Sequence, residues 1–213
     1  MADNQALIFW LSGVFHPSLV EVISQVVVGM GCVNLNFSTQ PDIIHLIDDF
    51  ALGKINDSSF CREIVRNAGL EISPNELKEK IIESIVPNPG VIQTIQSLPE
   101  SLQRWLIVDY PRSWFDKMAA RLEIFPCFSQ KRLVYLTQLG LRTMTPDVFD
   151  QVAQLAKVPK SSCLSIDQNQ KRCIQTLRDG MQSVIFVNAR NLEREFILRR
   201  FIGKTQFNHQ PPG

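Results

Sequence analysis

The chain has little that would mark a specialised class. No two of its five cysteines (Cys32, Cys61, Cys127, Cys163 and Cys173) form a CxxC pair, and the number is odd. That argues against a disulfide framework or a zinc knuckle and for reduced thiols in a cytoplasmic protein. Neither charge sign dominates, with 22 basic against 21 acidic side chains, so nothing points to nucleic acid. The apolar stretch 19–33 is broken by Glu21 and Gln25, and residues 1–6 lack the basic flank of an export signal, so neither a membrane span nor secretion is expected. Only three histidines occur, and none of His16, His45 and His209 is paired in sequence with a serine or cysteine. A histidine-based nucleophilic triad has no foothold. The 213 residues, 45% hydrophobic, suffice for a sizeable core, because a chain of this length buries about 70% of its unfolded surface without staples.

What is present is an alternation. Short apolar runs at 6–10, 105–109, 133–136, 163–167 and 183–187 read as strands buried on both faces, separated by stretches of helical spacing. Strands alternating with helices imply a doubly wound parallel sheet, an α/β fold. The gap between the first two runs exceeds one crossover helix. Within it, Ile43, Ile44, Ile47, Phe50 and Ala51 share one helical face, and Phe60, Ile64, Val65 and Ala68 share another. Asp57 reads as an N-cap. Ser73-Pro74-Asn75-Glu76 offers a cap, a proline at the first helical position and a capping-box glutamate, followed by Leu77, Ile81, Ile82 and Ile85. The expected organisation is a core of 1–15 and 90–213 interrupted by an all-helical cap, 16–89. After Thr145-Pro146-Asp147 a helix should carry Val148, Phe149, Val152 and Leu155, and the proline-rich tail 207–213 is expected to stay disordered.

Ligands of open parallel sheets bind beyond the carboxyl ends of the strands, which here are Trp10, Asp109 and Asp167. The two aspartates suit acid/base or metal chemistry. They equally suit plain turn and N-cap duty. The apolar stripe Val20, Ile23, Val26, Val27 and Met30 reads as a cap helix facing its neighbours, with a homodimer surface as the minority reading. The basic groups Lys171-Arg172 and Arg194 with Arg199-Arg200 read as solvated helix faces rather than a nucleic-acid patch. Gly203-Lys204-Thr205 lacks the upstream glycine of a P-loop.

Four segments, in order, resemble the motifs of the haloacid dehalogenase (HAD) superfamily. Ile8-Phe9-Trp10-Leu11-Ser12-Gly13-Val14-Phe15 is similar to the first, a strand entering Asp-x-Asp-Gly-Val, with Trp10 and Ser12 at the aspartate positions. Leu106-Ile107-Val108-Asp109 resembles the second, with Asp109 in place of a serine or threonine. Residues 140–149 resemble the third, Gly-x-Arg-Lys-Pro-Asp-Pro-x-x-Phe, keeping Arg142 but carrying Thr143 for the lysine. Leu164-Ser165-Ile166-Asp167-Gln168-Asn169 is similar to the fourth, with Gln168 at the second carboxylate. Gly53-Lys54-Ile55 with Phe60, Pro89-Gly90-Val91 and Gly180 match the cap, its exit and the approach to the last strand. The resemblance implies a strand order of 5-4-1-2-3.

It also implies lost chemistry. An indole at Trp10 offers neither a nucleophile nor an oxygen for a hard cation, and Ser12 cannot shuttle protons as a carboxylate does. Thr143 removes a positive charge and Asp109 adds a negative one; a like-charge contact at about 4 Å costs about 4 kcal/mol at an effective dielectric near 20. The expected protein is a non-catalytic binding, scaffold or regulatory module with an unknown protein or small-molecule partner. No cofactor is expected and magnesium is disfavoured. The alternative is a hydrolase of altered mechanism using Asp109 and Asp167, with Arg142 as an anion contact. Trp10 is expected to fill the former substrate cavity, its indole N–H donating to Asp109 or Asp167.

Overall fold

The computed structural model describes residues 5–32, 37–140 and 147–203. Its centre is a five-stranded, all-parallel sheet of β1 (Ala6–Trp10), β2 (Gln103–Val108), β3 (Leu133–Tyr135), β4 (Cys163–Asp167) and β5 (Gln182–Ile185). The order is β3-β2-β1-β4-β5, as the resemblance implied. β1 and β4 are buried along their whole length, which explains why their sequences are apolar without alternation. The chain runs outward from β1 through β2 to β3, then returns to the other side of β1 for β4. The two directions of winding part between β1 and β4, and there the sheet edge opens into a crevice.

Successive side chains of β1 serve opposite layers. Phe9 packs edge-on against Phe128 and against Phe196 of α9 (Ala189–Leu198), while Trp10 meets Phe149 of α7 (Asp147–Ala156) on the other face. Helices α5 (Val91–Gln96), α6 (Arg112–Met118) and α8 (Gln170–Arg178) complete the layers. On α7, Leu155 is 54% exposed, contrary to the expected apolar face. Ala153 and Ala156 are buried instead, a turn of phase that brings small residues inward.

Between β1 and α5 the described residues form four α-helices, α1 (Leu19–Gly29), α2 (Pro41–Ala51), α3 (Asp57–Ala68) and α4 (Pro74–Ser84). Asn56, not Asp57, caps α3: its side chain accepts from the Ser59 N–H at 2.8 Å, and Asp57 is the first helical residue. Ser73 caps α4 as expected, accepting from the Glu76 N–H. A complete capping box stands at α1, where Ser18 accepts from the Glu21 N–H and Glu21 accepts from the Ser18 N–H. On the α1 stripe, Ile23, Val26 and Val27 are buried within the chain. Phe50 and Phe60 stack at 4.1 Å, and both pack on Trp114 of α6, so an aromatic cluster ties α2 and α3 to the sheet layer. Lys117 of α6 pairs with Glu79 of α4 at 2.6 Å. Asn88 closes the return, donating to the Val14 carbonyl through its side chain and to the Phe15 carbonyl through its backbone.

Candidate functional site

The loop leaving β1 is shaped by Gly13, at φ +90°. A Cβ there would lie 2.7 Å from Gln168 Oε1 and 2.8 Å from Gln168 Cβ, so the loops after β1 and β4 approach as only glycine allows. One residue earlier, Ser12 ties three segments together. Its N–H donates to Asp109 Oδ1 at 3.2 Å and its Oγ accepts from the Leu19 N–H at 3.0 Å. The position that resembles a proton-shuttling aspartate therefore joins β2, the β1 loop and the first turn of α1.

Asp167, 1% exposed, ends β4. Its Oδ1 accepts from the Asn169 N–H at 2.9 Å and from Arg172 Nη2 at 2.9 Å, and its Oδ2 accepts from Arg172 Nε at 2.6 Å. Asn169 caps α8 by accepting from the Arg172 N–H, which fixes the arginine in the first helical turn, where its guanidinium can fold back. That guanidinium then covers the Trp10 ring, its Cζ 4.0 Å from the ring centroid. A bidentate ion pair and a cation–π contact thus hold one side chain. Burial opposes the charge, yet Asp167, Asp109 and Asp48 together keep the Arg172 pKa above its usual value.

Two expectations change here. The indole N–H of Trp10 is buried without a hydrogen-bond partner, so neither aspartate accepts from it: Asp109 faces Ser12, and both oxygens of Asp167 are taken by Arg172. Nor does Trp10 fill the cavity. It lies beneath Arg172, and a crevice of about 340 Å³ remains beside it. The sheet side of that crevice is formed by Ser12, Asp109, Gln168, Asn169 and Arg172, and the helical side by Ser18, Leu19 and Val20 of the α1 end with Ile44, Ile47, Asp48 and Ala51 of α2.

Asp109 is 7% exposed, and burial pushes its pKa up to about 6, with Arg172 opposing. Burial also raises Asp48, again opposed by Arg172 and then by His45. His16 is fully buried beside Tyr110, with Nδ1 2.6 Å from the Pro17 carbonyl, and burial lowers its pKa to about 4. Among the described residues no group of three or more His, Cys, Asp or Glu side chains is arranged to hold a metal ion.

Of the positions singled out in sequence, Trp10, Ser12, Asp109, Asp167 and Gln168 converge at this edge; Arg142 and Thr143 lie outside the described residues. Arg172 and Asp48 were missed. Arg172 was read as part of a solvated basic face, although its place three residues beyond the Asn169 cap is the signal that it can reach back to Asp167. Ile44, Ile47, Asp48 and Ala51 form an i, i+3, i+4, i+7 face that lines the crevice; the expected apolar face divides, with Ile44, Ile47 and Ala51 on the crevice and Ile43 and Phe50 in the core.

A helix-covered parallel sheet of this order, with helices inserted after its first strand and a crevice at the switch point, defines the HAD-like α/β fold. No family model matches the sequence, and no curated protein matches it. Solved structures do. A HAD-like family hydrolase from Porphyromonas gingivalis superposes with a TM-score of 0.70 at 16% identity, covering 95% of this chain and 100% of that one. A HAD family enzyme from Bacteroides thetaiotaomicron, in complex with magnesium and inorganic phosphate, gives 0.66 at 16% identity over 87% and 95%. A HAD family hydrolase from Deinococcus radiodurans with bound phosphate and sodium gives 0.54 at 14% over 86% and 80%.

These likenesses correct the expectation that no cofactor is needed and magnesium is disfavoured. The Bacteroides thetaiotaomicron enzyme holds magnesium with phosphate in this same fold. Charge counting at four motif positions was too narrow a ground, because metal affinity depends on the whole ligand set and its geometry.

Proposed function

We propose that this chain is a HAD-fold binding module whose crevice holds a small molecule without forming an aspartyl intermediate. One observation carries the reading: the carboxyl end of the central strand presents Trp10, 1% exposed and covered by Arg172, where a nucleophilic carboxylate would have to stand. Ser12 adds to it, since its hydroxyl is engaged by the Leu19 N–H. Residues 16–89 act as a helical cap in this reading, supported by the α1 and α2 side chains that line the crevice. Five free cysteines, four of them buried, support a reducing, cytoplasmic setting.

Magnesium enters as a ligand to be tested. Asp109 and Gln168 offer oxygens to the crevice, and an ion using Asp167 would compete with Arg172. Bound, it would supply positive charge beside a phosphoryl oxygen. The test is hydrolysis of p-nitrophenyl phosphate and acetyl phosphate by the purified chain in magnesium buffer. The expected rate equals that of buffer alone; magnesium-dependent turnover that disappears in Asp167→Asn overturns the reading.

A second reading, a hydrolase of altered mechanism, draws on Asp109, whose raised pKa suits a proton donor near neutral pH. Against it stands Asp167, which has no oxygen outside the Arg172 pair to offer a substrate.

A further inference from the structure

The crevice carries more negative than positive charge among the described residues. Arg172 spends its guanidinium on Asp167 through two hydrogen bonds. Asp109 and Asp48 both line the cavity, and neither is in an ion pair with a described residue. Asp109 is the sharper case. It is more than nine-tenths buried, and among the described residues the hydrogen bond it accepts is the Ser12 N–H at 3.2 Å to Oδ1, which leaves acceptor sites of the carboxylate open to the crevice. A largely buried acid that faces an open cavity can accept from a donor on a bound molecule. Around Asp48 the helical wall is aliphatic, formed by Leu19, Ile44, Ile47 and Ala51, and Ile44 leaves 42% of its surface to water. About 340 Å³ is enough for a compact small molecule, at the lower end of ligand pockets.

We infer that the crevice binds an organic cation, an ammonium or guanidinium group on a short apolar stem, with Asp109 and Asp48 taking the charge and the Ile44–Ile47 face taking the stem. The inference rests on the binding-module reading and names its ligand class. Arg172 offsets both acids in part but is itself paired with Asp167, so an anion meets an excess of carboxylates, and a neutral donor gains a hydrogen bond without the charge attraction.

The experiment is calorimetric titration of the full chain, in low salt at pH 7.5, with hexylammonium, hexanol, hexanoate and inorganic phosphate in turn. Hexylammonium is expected to bind at least tenfold more tightly than hexanol, with hexanoate weaker still. Asp109→Asn keeps the oxygen that accepts from Ser12, so its fold is preserved, and it should erase most of the preference for hexylammonium over hexanol; Asp48→Asn should reduce it in part. Ile44→Ser should weaken hexylammonium and hexanol alike. Preferential binding of hexanoate or phosphate overturns the cation class and leaves the binding module standing. Silence from all four probes, or an Asp109→Asn variant with unchanged preference, overturns the inference. Magnesium-dependent phosphatase turnover sinks the binding-module reading instead, and the assays are separate.

Discussion

Asp109 and Asp167 stand at the carboxyl ends of the two strands that flank β1, and both are nearly inaccessible to water, yet their surroundings differ in kind. Asp167 meets a helix whose cap projects an arginine back onto it, so its charge is neutralised by two hydrogen bonds and sealed over Trp10. Asp109 precedes a helix that sends nothing back, accepts one backbone N–H and faces the crevice. The same residue type at equivalent edges becomes a structural clamp in one loop and a reactive or ligand-seeking group in the other. What separates them is the side chain five residues downstream.

Removing the clamp should have the largest effect. Arg172→Met strips the partner from a carboxylate that is 1% exposed, and because the arginine side chain itself keeps 20% exposure the cost should fall near the low end for a broken buried pair, about 3 kcal/mol by urea denaturation. A change under about 1 kcal/mol would mean that Asp167 finds water or another donor, and the contrast between the two acids would dissolve.

The pH dependence of Asp109 comes next. Its folded pKa, about 6, lies above its ordinary value, so its protonated form favours folding: the contribution is complete below about pH 4 and is lost as pH rises through about 6. His16 works in the other direction. Its folded pKa, about 4, lies below the ordinary 6.5, so its contribution is complete above about pH 6.5 and is lost as pH falls through about 4. Over this window the two oppose each other. Asp109→Asn should therefore gain on the parent protein, by up to about 3 kcal/mol, between pH 4 and 7, measured as the difference between their denaturation curves. A pH-independent difference would place Asp109 in a well-paired environment after all.

Gly13→Ala tests the closeness of the β1 and β4 loops, with an expected loss of about 1–3 kcal/mol in thermal denaturation from positive φ and the clash with Gln168. The smallest effect belongs to the α1 cap: Ser18→Ala should cost about 1 kcal/mol, and Ser73→Ala, lacking the reciprocal glutamate bond, no more than that. A Ser18→Ala loss below about 0.3 kcal/mol would mean that the Ser18 side chain contributes nothing to the start of α1.

The strands were legible because residues buried on both faces must be apolar at every position. β1 and β4 match the expected runs residue for residue, while β2 and β5 begin and end slightly earlier than their apolar runs suggest, since their first residues pair before they are fully buried. The helices between β1 and β2 were legible from period and proline, but not their facing: Ile44 and Ile43 are adjacent in sequence and look alike, and only packing sends one to the core and the other to the crevice. Trp10, Asp109 and Asp167 were singled out as strand ends, and Ser12 and Gln168 through the resemblance to the HAD motifs. Arg172 and Asp48 were not, because a charged residue on an amphipathic helix reads as solvated until the neighbouring element is known.

The linear order of residues was enough to determine the parallel sheet and the absence of a carboxylate at positions 10 and 12, because burial on both faces and residue chemistry are written locally; the strand order came from the resemblance alone. Only the tertiary structure decided how the remaining charges are shared out. Whether an aspartate is neutralised or left facing a cavity depends on a cation brought from another element, and at an effective dielectric well below that of water a few ångströms decide the outcome.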